Sequence, residues 1–360
     1  MATASGGERR AIEFGFMMGL SPREPIERFA RLAQLAESIG FEMAWMADSQ
    51  LYTKDPWSAL TLAAAATKTI KLGPGVTNPV TRHFTVTACT SAALAEVSKG
   101  RSVLGFGSGD AAVFPLGLKV KVDDVRQAVT RIRTLSEGGS VNVDGRAINV
   151  ATGGTRVPIF IAASQPRMLS LAGEVADGVI LMGAAQPELT RWQLAHVAEG
   201  AATVGRTLDD LMIDLWFAIS ISDDRKKALD DVRPWAASQA RWFAKWKDLP
   251  SSLQPFTADF WRAAEAYDFA RHLSRAGEPE PVSDTFVNWI AVSGSAEECA
   301  DKIRPLIDLK IDRLTFALLP GGREARLRQY GEDLIPRLRP KSSPNSGAGS
   351  DTTSVAGAAR

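Results

Sequence analysis

The feature that most limits the fold of this chain is one alternation, repeated eight times. A short apolar run is followed by a stretch with apolar residues at helical spacing. The runs fall at residues 12–19, 41–47, 70–76, 102–106, 157–162, 178–182, 213–222 and 314–319. They carry bulky residues at consecutive positions rather than at every second one, the pattern of strands covered on both faces. Between them, residues 22–39 set Ile26, Phe29, Ala30, Leu32, Ala33, Leu35 and Ala36 at helical spacing, and further helical stretches occupy 59–67, 85–97, 125–135, 168–175, 187–205 and 296–309. Strands that alternate with helices pair in parallel through right-handed crossovers, and eight such units close on themselves. The predicted fold class is therefore α/β, a (β/α)8 TIM barrel.

Local signals set expected boundaries. Ser21 followed by Pro22 reads as the cap and first residue of the first helix, and Asp123 or Asp124 as the cap of the helix at 125–135. Asp144-Gly145 between two short β-prone runs predicts a hairpin. The interval between the seventh and eighth runs is too long for one helix, so residues 223–290 are predicted as a helical insertion. That segment is rich in aromatics: Trp235, Trp242, Phe243, Trp246, Phe256, Phe260, Trp261 and Tyr267. Insertions beyond the C-terminal ends of barrel strands supply lids and pocket walls. Trp242, Trp246 and Trp261 are the expected substrate-pocket residues; a packed hairpin without a chemical role is the competing reading. The barrel domain is expected to span 12–338, after a flexible N-terminus at 1–11 and before a disordered tail at 339–360, where small polar residues show no periodicity.

Composition excludes several classes of partner. With 42 basic and 41 acidic residues the net charge is +1, so no global field draws in nucleic acid or an anionic membrane. No run of about 18 apolar residues occurs, and the first residues lack a signal-peptide core. Cys89 and Cys299 lie far apart without metal spacing and read as buried free thiols; the low count fits a cytoplasmic location. The three histidines, His83, His196 and His272, give no zinc spacing, so no metal is expected. The expected partner is a small-molecule substrate.

In such a barrel the chemistry lies beyond the C-terminal ends of the strands. The residues there are Asp48-Ser49-Gln50, Gly75-Val76-Thr77-Asn78, Gly107-Ser108-Gly109-Asp110, Ala163-Ser164-Gln165 and Met182-Gly183. They are mostly small and polar, which lets a flat ring lie against the backbone. Gly107 to Asp110 resembles a phosphate-cradling loop, although Asp110 would repel a phosphate. Ser164-Gln165 at the start of a helix is a second anion candidate. There is no nucleophile elbow and no dinucleotide fingerprint after the first strand. Redox chemistry would therefore need a bound coenzyme. His83, the one histidine near a strand end, reads as a loop hydrogen-bonding residue.

Taken in order, the stretches ESIGFEMAWMAD (37–48), KLGPGVTNPVTRH (71–83), GFGSGD (105–110), IFIAASQPRMLSLAGEVADG (159–178) and VSGSAEECADKI (292–303) resemble the bacterial-luciferase-like superfamily. The resemblance covers residues 12–338 and is nearest to the branch of methylenetetrahydromethanopterin reductase and other enzymes of the deazaflavin coenzyme F420. It implies a cis peptide bond at Gly75–Val76 beneath an isoalloxazine-like ring, with Thr77 and Asn78 nearby. It implies that Gly107, Ser108, Gly109, Asp110, Ala163, Ser164, Gln165, Met182 and Gly183 hold the coenzyme, reduced F420 or FMN, and that Asp48 and Ser49 sit at the reacting centre. It also implies a homodimer. The sequence departs from the family where relatives carry histidine after the aspartate: here Ser49 and Gln50 follow Asp48, and serine does not titrate near neutrality. The implied function is F420-type hydride transfer to a small apolar or ring-shaped substrate. The alternatives are a two-component FMN monooxygenase fed by a separate flavin reductase, and a non-catalytic flavin-binding protein.

Overall fold

The computed structural model describes residues 11–151, 154–182, 184–268 and 281–339. The two terminal segments expected to be unstructured lie almost entirely outside them. Along the chain run β1 (Glu13–Met18), α1 (Glu27–Ser38), β2 (Met43–Met46), α2 (Pro56–Ala66), β3 (Lys71–Pro74), α3 (Phe84–Val97) and β4 (Leu104–Phe106). There follow α4 (Val122–Ser136), β5 (Val141–Val143), β6 (Arg146–Ile148), β7 (Ile159–Ala163), α5 (Pro166–Val175), β8 (Gly178–Met182), α6 (Pro187–Ala202) and β9 (Met212–Ile221). The last part holds α7 (Arg225–Phe243), α8 (Thr257–Ala266), α9 (Asp284–Ile290), β10 (Val292–Gly294), α10 (Ala296–Ile307), β11 (Arg313–Ala317), α11 (Arg323–Gln329) and α12 (Ile335–Leu338).

Eight strands pair in the order β3-β2-β1-β11-β9-β8-β7-β4, all in parallel. The bridges Leu72–Ser102 and Thr77–Phe106 join β3 to β4 and close the barrel. Between them the chain takes five steps on the β3 side against four on the β4 side, so one extra residue bulges out of the seam. The seam is crowded. A Cβ on Gly73 would lie 1.9 Å from the Val103 carbonyl oxygen, and one on Gly105 would lie 2.2 Å from that of Pro74, so only glycine fits at either position.

Strand alternation sorts the apolar residues into two cores. Phe14, Phe16, Ala44, Met46, Ile161, Leu181, Leu215 and Phe316 face outward and pack beneath the helices. Met17, Met43, Trp45, Phe160, Ile180 and Trp216 face the lumen, in one cluster with Trp235, Phe243, Trp246 and Phe260 of the insertion. The insertion is thus an extension of the barrel interior. At the N-terminal end the lumen is filled by charge. Arg313 and Asp214, both 0% exposed, pair at 3.2 Å, and Arg313 also holds Glu13, which Lys71 reaches at 2.9 Å. Asp214 accepts further hydrogen bonds from the Trp45 indole at 3.0 Å and the Thr315 hydroxyl at 2.6 Å. Burial still raises its pKa above the ordinary carboxylate value, against the pull of Arg313.

Several local expectations change. Ser21 does not cap α1, which begins at Glu27; Ser21 and Glu24 close a turn instead, the Ser21 N–H donating to the Glu24 carboxylate at 2.7 Å. Asp123 and Asp124 fall inside the first turn of α4, where Asp124 accepts the Lys121 N–H at 2.8 Å. Cys89 is exposed on α3, whereas Cys299 is buried and its thiol is pushed up to about 12 by desolvation. The hairpin is present, with Asp144 and Gly145 at φ 50° and 79°, the pair of left-handed residues that a tight two-residue hairpin turn requires. The described residues of the insertion are mainly helical, and an unforeseen strand follows it: β10 pairs in parallel with the upper half of β9, from Val292–Ile219 to Gly294–Ile221. Among the described residues no helix is long and apolar enough to cross a membrane.

Candidate active site

Beyond the C-terminal ends of the strands lies a cavity of about 1190 Å³. Its floor includes the seam bulge, where the Gly75–Val76 peptide is cis. The Val76 side chain nests over β4: a Cβ on Gly105 or Gly107 would come within 3.1 Å of its methyls. Gly75 is equally confined, since its Cβ would meet the Trp216 ring at 2.7 Å. A bulge and two glycines therefore fix one flat apolar surface at the mouth of the barrel.

Of the expected site residues, Asp48, Ser49, Gly75, Val76, Gly107, Ser108, Gly109, Asp110, Ala163, Ser164, Gln165, Met182, Trp242 and Trp246 line this cavity. Gly183 lies outside the described residues. Thr77 and Asn78 do not line it; both are fully buried behind the bulge. The Thr77 backbone makes the seam, its N–H donating to Gly105 at 3.0 Å and its carbonyl accepting from Gly107 at 2.9 Å. The Asn78 side chain folds back on its own turn, accepting the N–H groups of Val80 and Thr81 at 3.0 and 2.9 Å. Trp261 is also corrected. It is 56% exposed and off the cavity, because α8 turns Asp259, Phe260 and Ala263 inward and leaves Trp261 on the opposite face.

Two ion pairs organise the mouth, and both use arginines that sequence reasoning missed. Asp48 is buried, and Arg82 donates to both of its oxygens, at 2.8 and 3.3 Å; the same guanidinium binds Asp55 at 2.7 Å. Burial opposes the Arg82 charge, but the two carboxylates outweigh it and raise the arginine above its ordinary value. With both oxygens engaged, Asp48 anchors the loop after β3 and is poorly placed to shuttle a proton. Asp110 is held in the same way by Arg241 of α7, with one contact at 3.2 Å and a second, closer one, and by the Trp242 indole N–H at 3.1 Å. The repulsion of phosphate expected from Asp110 is thus offset by a cation from the insertion.

One wall of the cavity belongs to α7 and the turn after it: Trp235, Gln239, Trp242 and Phe243 of the helix and Trp246 beyond its end all line the cavity. Trp246 stacks on Trp192 and meets Phe243 edge-on. The aromatic content of the insertion signalled this wall, but the aromatics alone did not identify which helix face forms it. Among the described residues no histidine lines the cavity; the His83 ring contacts the Thr85 hydroxyl at 2.7 Å on the exposed start of α3. Among the described residues no cluster of side chains could hold a metal ion.

Comparison with known proteins gives this geometry a context. The family model described as luciferase-like monooxygenase matches residues 11–313. The 5,10-methylenetetrahydromethanopterin reductase of Methanopyrus kandleri is 30% identical over 91% of this chain and 99% of its own. The F420-dependent glucose-6-phosphate dehydrogenase of Nakamurella multipartita is 31% identical over 91% and 97%. Among solved structures, the coenzyme F420-dependent tetrahydromethanopterin reductase from Methanopyrus kandleri superposes with a TM-score of 0.73 at 25% identity, covering 91% of this chain and all of that one.

Proposed function

We infer the activity from one premise: the chain belongs to the luciferase-like monooxygenase family. It is an oxidoreductase that uses reduced coenzyme F420 to transfer hydride to a small organic substrate. The observation that carries this reading is the flat apolar shelf made by Val76 over Gly105 and Gly107 on the floor of a cavity of about 1190 Å³. Common ligand pockets hold roughly 300–1,000 Å³. This one has room for a three-ring coenzyme and a second molecule.

The residues present fit that coenzyme. Val76 and the glycines behind it offer a shelf to a flat ring. Ser108 and Ser164 line the route by which a phosphorylated tail would leave, with exposed Arg167 at the rim and the Asp110 charge already countered by Arg241. Bound there, F420 supplies a hydride. The chain's own part is to position and to exclude water, since Trp235, Trp242, Phe243 and Trp246 close the opposite side. The lining supports reduction over alcohol oxidation. Taking a hydroxyl proton requires a base of suitable pKa, and Ser49 stands where the family resemblance often implies histidine, while Asp48 is bound by Arg82. The same reading has the enzyme act as a cytoplasmic homodimer.

Fluorescence titration with reduced F420 and with reduced FMN tests this. Saturable binding of F420 is expected; tight binding of FMN with none of F420 would overturn it. A second reading, the two-component monooxygenase supplied by a flavin reductase, draws on the aromatic wall, which would also shield an oxygen adduct from water. Substrate-dependent oxygen uptake in the presence of FMN and a reductase would favour it.

A further inference from the structure

The cavity wall carries an amide with no partner among the described residues, beside the unpartnered indole N–H groups of Trp235 and Trp246. On α7, Trp235, Gln239, Trp242 and Phe243 follow at helical intervals, and Trp246 just beyond its end continues the stripe. Four are aromatic, and the fifth is a neutral amide. Gln239 is 6% exposed and lines the cavity, yet its side chain has no hydrogen-bond partner among the described residues. No hydrogen bond within the described residues occupies this amide, so it is open to a ligand in the cavity. Its neighbours do not supply a partner: Arg241 and Trp242 are engaged with Asp110.

The charges around it are equally informative. Asp48 is paired with Arg82 and Asp110 with Arg241, so the buried part of the cavity presents no uncommitted charge. The other cations of the lining, Arg23, Arg167 and Lys247, are exposed at the rim, apart from Arg323, which is tied to Glu24 at 2.9 Å. A sugar phosphate on this wall would bring two negative charges and a ring of hydroxyls against four aromatic faces, with Gln239 the one amide of the stripe to receive them. A flat neutral molecule loses nothing there.

We propose that Gln239 is the specificity-determining residue of the substrate half of the cavity, and that the substrate class is neutral, planar and conjugated, with a donor–acceptor edge of the lactam or carboxamide kind. This rests on the reading that the coenzyme ring occupies the Gly75–Val76 side, which leaves the α7 side to the substrate. The glutamine amide carries one acceptor and two donor hydrogens, so it can pair with both atoms of a lactam edge. The aromatic stripe stacks on the ring plane.

The test uses 2-quinolinone and 1-methyl-2-quinolinone, which share a ring and a carbonyl and differ in the N–H. Binding is measured by calorimetry in the presence of saturating F420. The wild type is expected to favour 2-quinolinone by about tenfold, the size of one well-made buried hydrogen bond with its desolvation. In Gln239→Leu the preference should fall below about twofold. Gln239→Glu, nearly isosteric and a safeguard should the leucine variant fold poorly, should bind 2-quinolinone at least about tenfold more weakly than wild type. An unchanged preference in Gln239→Leu overturns the proposal. So does displacement of 2-quinolinone by millimolar glucose 6-phosphate. A loss of F420 affinity in Gln239→Leu with the quinolinone preference intact would assign the residue to the coenzyme and overturn it as well. If F420 binds neither protein while Gln239→Leu, tested without it, still erases the preference, the wall is upheld and the coenzyme reading falls.

Discussion

The two ends of the barrel both hold buried aspartate–arginine pairs, yet they use them differently. At the N-terminal end Asp214 and Arg313 are wholly buried, come from adjacent strands and fill the lumen. At the C-terminal end Asp48–Arg82 and Asp110–Arg241 each keep one partner partly open to solvent, and each ties together loops or an insertion far apart in sequence. The first arrangement replaces packing. The second fixes the position of loops that secondary structure does not hold. Conservation is not needed to see this division of labour between stability and function; it follows from burial and from which elements are joined.

The contrast can be broken by mutation, and the largest effect is expected at the closed end. Arg313→Met leaves Asp214 without its cation and Glu13 with Lys71 alone, and should lower unfolding free energy by about 3–5 kcal/mol, read from urea denaturation. Adding Asp214→Leu should recover a large part of that loss. A single-variant loss below about 1 kcal/mol would mean that the closed-end pair carries little. Next comes the seam between the ends. Gly105→Ala drives a Cβ toward the Pro74 carbonyl and should cost about 1–3 kcal/mol together with a measurable loss of coenzyme affinity, because Val76 must move. Stability lost with affinity intact would separate the bulge from the binding surface.

At the mouth the effect should shift from stability to binding. Arg241→Met bares the Asp110 carboxylate beside Ser108, and affinity for reduced F420 should fall about tenfold, with a smaller stability change of about 1–2 kcal/mol. Unaltered affinity would reduce this pair to packing. The smallest effect is pH-dependent. Burial raises the Asp55 pKa, but hydrogen bonds from the Ser58 N–H and hydroxyl and from Arg82 outweigh it and hold the group below its ordinary 3.8. Its contribution is therefore present above that value and is lost as pH falls through the lowered one. Asp55→Asn should flatten the acid limb of the stability profile below about pH 4, and matching limbs for the two proteins would contradict the assignment.

The barrel was legible because its signal is local and repeated: β8 at Gly178–Met182 coincides with its predicted run, and the other barrel strands sit within two residues of theirs at each end. β10 was not, since three residues carry no periodicity and exist as a strand only by pairing with β9. The glycine-rich strand ends showed where the mouth would be, but the pairs that hold it could not be read. Arg241 meets Asp110 across 131 positions, and no spacing rule links them. The bulge residues show a subtler limit. Thr77 and Asn78 are polar and adjacent to the cis bond, which made them candidates, yet their groups are turned into the seam and the turn.

The short pairing of β10 with β9 has a consequence for how this protein can change. The chain leaves the barrel at Ser222 and returns at Gly294, and these two residues are hydrogen-bonded to each other at 2.8 Å. Everything between them is a loop whose ends are fixed side by side, independently of its contents. Closing such a loop grows dearer only with the logarithm of its length. The intervening segment can therefore be lengthened, shortened or exchanged as a cassette, altering the roof over the cavity while the frame that holds the coenzyme stays as it is.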